Sequence, residues 1–168
     1  EFYYENYHEF VEGQNRRNRE ARHTDRQKTI GGILENTKTC PEETILQLGN
    51  IDATVDATAF AEIAAEYFEE FQRRYGSHVH ILDWALHLDE GTPHIHERHV
   101  FDALNRYGEV CPQQEKALEE LGFELPDPTK KKSKYNNRKM VFDVECRKLF
   151  LEISARHGLD IDMEPVYG

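Results

Sequence analysis

Apolar residues recur along the chain in two rhythms, a spacing of three and four in some stretches and alternation in others, and each rhythm predicts an element. Phe60, Ile63, Tyr67 and Phe71 fall at helical spacing between Asp56, an N-cap residue type, and Gly76, a helix-ending residue. Phe142, Cys146, Leu149, Phe150 and Ile153 form a second helical stripe that stops at Gly158. A smaller helix is expected to open at Pro112 and close at Gly122, with Ala117, Leu118 and Leu121 on one side. The stretch from Phe2 to about Asp25 is polar and aromatic without clean alternation and reads as a helix, or a helical hairpin broken at Gly13.

The β pattern is concentrated in three places. ETILQLG, from Glu43 to Gly49, is a run of β-formers bounded by Gly and Asn. HVHILDWALHLD, from His78 to Asp89, and HIHERHVFD, from His94 to Asp102, are joined by EGTP and are expected to pair as an antiparallel hairpin. Thr29 to Pro41, with Gly31 and Gly32, reads as loop, as does LPDPTKKKSKYNN, and a turn is expected from Asn105 to Gly108. The sum is an α+β fold, a central antiparallel sheet with helices packed on one face, as one domain over residues 1–168. The chain starts without methionine and in mid-pattern, so an N-terminal piece of a longer protein is expected to precede it.

No apolar run approaches the roughly 20 residues that span a bilayer, and the N-terminus lacks a secretory signal, so a cytoplasmic protein without a membrane partner is expected. Three widely spaced cysteines, Cys40, Cys111 and Cys146, without a CxxC pair, give neither a disulfide framework nor a thiolate zinc site. A net charge of −11 opposes nonspecific affinity for nucleic acid. Two basic tracts interrupt it: Arg16, Arg17, Arg19, Arg22, Arg26 and Lys28, and then Lys130, Lys131, Lys132, Lys134, Arg138 and Lys139. Either tract can hold phosphates or be a solvated surface.

The candidate chemistry lies in the hairpin. Residues two apart on a strand share a face, so His94 and His96 project together, and Asp83, Ala85, His87 and Asp89 share one face while Trp84, Leu86 and Leu88 share the other. Antiparallel pairing around Glu90 to Thr92 brings His87 close to His94 or His96. Three imidazoles with an open position describe a catalytic metal site. Asp89 and Glu90 are the nearby carboxylates able to bind metal, orient a histidine or take a proton, and DEGT is also a turn-forming sequence. His99 has the opposite parity and is expected to be structural, with Asp102 or Glu97 as partner.

The string HLDEGTPHIH, residues 87–96, resembles the third motif of the Mob/Pre plasmid mobilisation and recombination proteins, HxDExTPHxH, at every specified position. ETILQLGN also looks like the region upstream of that motif, so the resemblance covers about residues 15–102. These proteins belong to the HUH endonuclease superfamily, whose histidine cluster holds a divalent ion on an antiparallel sheet facing single-stranded DNA. The resemblance implies that His87, His94 and His96 hold the metal, that Glu90 interacts with or activates the nucleophile, and that Asp89 supports the ligand shell. It implies single-stranded DNA nicking and joining at the transfer origin of a mobile element, through a covalent phosphoryl-enzyme, with relaxosome or coupling proteins as partners. Three imidazoles favour Mn²⁺, Zn²⁺ or related ions such as Ni²⁺ over Mg²⁺, which prefers oxygen ligands, and Mn²⁺ is the ion expected in use.

The nucleophile has several candidates. The family's first motif carries a histidine followed by Asn and Arg, and relatives use tyrosine. RNREARHTDRQKT matches only the region after that motif, leaving Tyr7, His8 and His23, with Tyr3 and Tyr4. Two rival functions stand beside nicking: a metalloenzyme with a three-histidine site and no DNA, and a catalytically inactive DNA-binding or interaction module.

Overall fold

The two alternating runs that flank residues 88–93 form the spine of the fold. The computed structural model describes residues 1–50, 53–88 and 91–159. In it, β4 (Val79–His87) and β5 (His94–Leu104) pair antiparallel, with His87 opposite His94, Ala85 opposite His96 and Val79 opposite Phe101. On the other side of β5, β1 (Glu42–Gln47) pairs with its first half, Ile45 opposite His96, and β6 (Val110–Pro112) with its last three residues. The result is an open four-stranded antiparallel sheet with the 11-residue β5 at its centre. A separate two-stranded ribbon joins β2 (Gly49–Asn50) to β3 (Ala53–Thr54).

Strand parity sorts the sheet's residues onto two faces. One face carries Val79, Ile81, Leu86, Ile95, Phe101 and Leu46, and packs under α3 (Ala57–Tyr75) and α5 (Arg138–Arg156), with α4 (Gln114–Glu120) closing one end. The α3 stripe, Phe60, Ile63, Tyr67 and Phe71, is buried against it, each such side chain stabilising the fold by about 1.5–3 kcal/mol. Asp56 caps α3 as expected, its Oδ2 accepting from Ala59 N at 3.1 Å, and Asn137 caps α5 by accepting from Met140 N at 3.0 Å.

The opposite face is divided. Its far half, around Val100, is covered by α1 (Phe2–Glu20) and α2 (Ile30–Glu35), where Tyr3, Tyr7, Val11, Ile33 and Val100 form a second small core. Its near half, around His94 and His96, has no helix over it among the described residues, so the two-layer arrangement holds there. A bulge between Ile81 and Asp83 leaves Leu82 without a partner on β5, and Leu82 joins the core under α1.

One open alternative is resolved and two expectations are corrected. α1 runs unbroken through Gly13; this buried glycine allows the Glu109 carboxylate to approach, since a Cβ there would meet Glu109 Oε2 at 1.8 Å. The Gly31–Gly32 stretch is the short helix α2, started by Thr29, whose hydroxyl accepts from Gly32 N at 2.9 Å. Pro112 does not open a helix; it ends β6 opposite Asp102, and α4 begins two residues later. No helix among the described residues is long and apolar enough to cross a membrane.

Candidate metal centre

His87, His94 and His96 occupy the uncovered half of the sheet face because all three share one parity on paired strands. Their ring centroids are 5.1 Å (His87 to His94), 4.4 Å (His87 to His96) and 5.1 Å (His94 to His96) apart. One ring nitrogen from each lies within 4.8 Å of the others. Three nitrogens about 2.1 Å from a common ion sit roughly 3–3.5 Å apart, so modest ring rotations bring this set to ligating distance. His94 is 8% exposed and the other two are half-buried, so the cluster is anchored yet open on one side.

The supporting contacts select the ligand atoms. His94 Nδ1 lies 3.1 Å from Thr92 O and His96 Nδ1 lies 2.5 Å from Glu43 Oε1. With Nδ1–H donated to an oxygen in both rings, Nε2 presents its lone pair, the arrangement found when a second-shell oxygen orients a metal-binding imidazole. The donor set therefore fits a divalent ion. Asp89, the supporting carboxylate that the resemblance implies, lies outside the described residues, and Glu43 is a supporting carboxylate that the sequence alone does not single out. The signal was present in ETILQLG, whose alternation puts Glu43 and Ile45 on one face, but the pairing partner of that strand was not apparent.

Next along the same face, Arg98 stands opposite Asp83 and Glu43. Arg98 Nε donates to Asp83 Oδ1 at 3.0 Å, with a second bond from its terminal nitrogen to Oδ2, and this guanidinium holds the Asp83 carboxyl below its ordinary range. The pair separates the histidines from the residues beneath α1.

The remaining sequence candidates are dispersed. Asp89 and Glu90 lie outside the described residues. Tyr7 is fully buried, its hydroxyl donating to Asp102 Oδ2 at 2.9 Å, and burial pushes that hydroxyl well above its ordinary pKa. Asp102 is six residues along β5 from His96, roughly 20 Å, so Tyr7 is not brought to the histidines. Tyr3 is also buried, bonded to Thr39 O, whereas Tyr4 is exposed and stacks on His8, whose Nδ1 meets Tyr4 O at 2.9 Å. His23 sits beyond the end of α1 beside Arg26. His99, as expected, pairs with Glu97, on the other face.

Neither basic tract borders the histidines. Arg17 forms a two-point bond to Glu109, at 3.1 and 2.7 Å, and stacks on Tyr107, which puts the Arg16–Arg26 segment beside the β5–β6 turn. Arg16, Arg19, Arg22 and Arg26 are exposed there. Lys130, Lys131 and Lys132 belong to the loop between α4 and α5, in the helical layer, with Lys130 paired to Asp127 and Lys132 to Glu115.

Protein-family models, curated proteins and solved structures give no match to this chain.

Proposed function

We propose that the chain is a metal-dependent enzyme that nicks and rejoins single-stranded DNA at the transfer origin of a mobile element. The observation that carries this reading is the convergence of His87, His94 and His96 on the open half of the sheet face, within the motif HLDEGTPHIH. A bound divalent ion, proposed as Mn²⁺ with Zn²⁺, Ni²⁺ or Mg²⁺ as alternatives, would supply Lewis-acid polarisation of the scissile phosphate. The chain's own part is to orient the His94 and His96 imidazoles, through Thr92 O and Glu43, and to offer the outer side of the cluster to a phosphate. A protein nucleophile forms a bond to phosphorus while the phosphorus–O3′ bond breaks; the leaving 3′-oxygen takes a proton, and reversal rejoins the strand. Among the nucleophile candidates, Tyr4, His8 and His23 retain solvent access, whereas Tyr7 is committed to Asp102. Single-stranded DNA in the cytoplasm is the partner, together with relaxosome or coupling proteins.

The test is incubation with single-stranded oligonucleotides and Mn²⁺, followed by denaturing electrophoresis. A nicked product covalently joined to protein, lost with His94→Ala or with chelator, is expected; absence of adduct across an origin-derived library overturns the reading. A second reading, a metal-holding DNA-binding or interaction module without nicking, is favoured by the burial of Tyr7 and by the engagement of Arg17 with Glu109. Oligonucleotide binding without adduct is its signature.

A further inference from the structure

The open half of the sheet face is a small grid whose rungs cross three strands. His94 lies between Gln47 and His87, His96 between Ile45 and Ala85, and Arg98 between Glu43 and Asp83. His96 and Arg98 are one same-face step apart, roughly 7 Å along β5, while Glu97 between them points into the opposite layer and is buried. Among the residues of this grid Arg98 is the only Lys or Arg, and its side chain is 55% exposed. Beyond it, toward Val100, α1 and α2 cover the face.

Asp83 holds the guanidinium through Nε, at 3.0 Å, and through Nη2. Nη1 makes no hydrogen bond among the described residues, so both of its N–H groups and one of Nη2 remain to be given to a second anion. An exposed cross-strand ion pair adds little to folding stability, which makes stability alone a weak reason for a two-point bond at this place. The effect on geometry is larger, because a guanidinium already fixed by one carboxylate loses less freedom when it takes a phosphate. Glu43, on the other flank, is turned to His96 Nδ1. Asp83 also cancels the charge of Arg98 at a distance, so what Arg98 offers is directional hydrogen bonding at close range.

We infer that Arg98 takes the DNA phosphate next to the one at the histidine cluster. Consecutive phosphates of an extended single strand are spaced by about one same-face step of a β-strand, roughly 7 Å, so they meet the cluster and Arg98 in turn. The rung between, where Ile45 and Ala85 flank His96, carries no charged group of its own outside the cluster. The inference rests on the single-stranded DNA reading of the cluster and adds to it the course of the strand, along β5 from the histidines toward α1.

The test walks a neutral methylphosphonate, one phosphate at a time, along the origin-derived oligonucleotide that binds most tightly in saturating Mn²⁺, with affinity read by fluorescence anisotropy. At one position the replacement is expected to weaken wild-type binding about fivefold and Arg98→Gln binding by less than about twofold. The neighbouring position should be the one at which replacement removes the dependence on Mn²⁺. In the wild-type chain the Arg98 guanidinium ¹⁵N signals should move with the unmodified strand and stay in place with the strand neutral at the Arg98 position, a readout that needs no variant. Equal sensitivity of wild type and Arg98→Gln at every phosphate, or unmoved guanidinium signals, overturns the inference and leaves nicking to its own test. Absence of any Mn²⁺-dependent binding overturns both. The expected coupling without a covalent adduct supports the inference and overturns nicking alone.

Discussion

At the scale of single residues, the arrangement of the cluster depends on the tautomer of each histidine. Glu43 decides this for His96, and its removal frees the ring to rotate and change tautomer. Glu43→Ala is expected to weaken Mn²⁺ or Zn²⁺ binding about tenfold, the low end of the range for supporting carboxylates because Glu43 is half-exposed. Competition with a chelating dye measures it, and unchanged affinity would show that the Glu43 contact does not hold the ligand. Tyr7→Phe makes the opposite prediction. It removes one of two groups on Asp102 Oδ2, the other being His80 Nε2 at 2.9 Å, and should cost about 1–2 kcal/mol in denaturant unfolding. Metal affinity and any DNA adduct should be unaffected; loss of the adduct in a folded Tyr7→Phe protein would return Tyr7 to the list of nucleophiles. The histidine trio was legible from parity alone, since HxH and HxDE across a short turn leave few other pairings. The role of Glu43 was not, because long-range strand pairing carries no local signature.

At the scale of elements, the two long core helices and the central hairpin were readable because each has an unmixed period and a capping or turn residue at its end. At Gly13 the sequence leaves a continuous helix and a broken hairpin both open, because a glycine at a close approach looks in sequence like one at a bend. The contact that needs it, Arg17 with Glu109, ties α1 to the β5–β6 turn. The guanidinium holds the Glu109 carboxyl below its ordinary range, and Asn105 adds a further bond. A carboxyl lowered in the native state stabilises the fold above its ordinary value, near 4.5, and that contribution fades as pH falls through the lowered native value. Glu109→Gln is therefore expected to lower stability by about 1 kcal/mol at pH 7, with the difference shrinking toward pH 3. Thermal melts at both pH values measure it, and a difference that grows in acid would contradict the assignment. The short strand β6 escaped notice since three residues are too few to show alternation.

At the scale of the whole molecule, charge and site are separated. The net charge of −11 and the remoteness of both basic tracts from the histidines mean that long-range attraction does little to bring a DNA strand to the open face. Oligonucleotide affinity is thus expected to depend on the divalent ion more than on salt. Fluorescence anisotropy should show at least about tenfold weaker binding in chelator than in Mn²⁺. It should also show a shallower salt dependence than proteins that neutralise six to ten phosphates. Strong binding in chelator with a steep salt slope would point instead to the Arg16–Arg26 segment.

The alternation along β5 has a final consequence for how this chain tolerates change. His94 and His96 face outward and Glu97 and His99 inward, so the two chemistries are separated by a single residue step on one rigid rod. Inserting one codon between positions 96 and 97 would turn one half of the strand over, driving imidazoles into the apolar layer or expelling the buried acid. A library of in-frame insertions should accordingly be depleted throughout His94–Ala103, even at positions where exchange of one side chain is harmless.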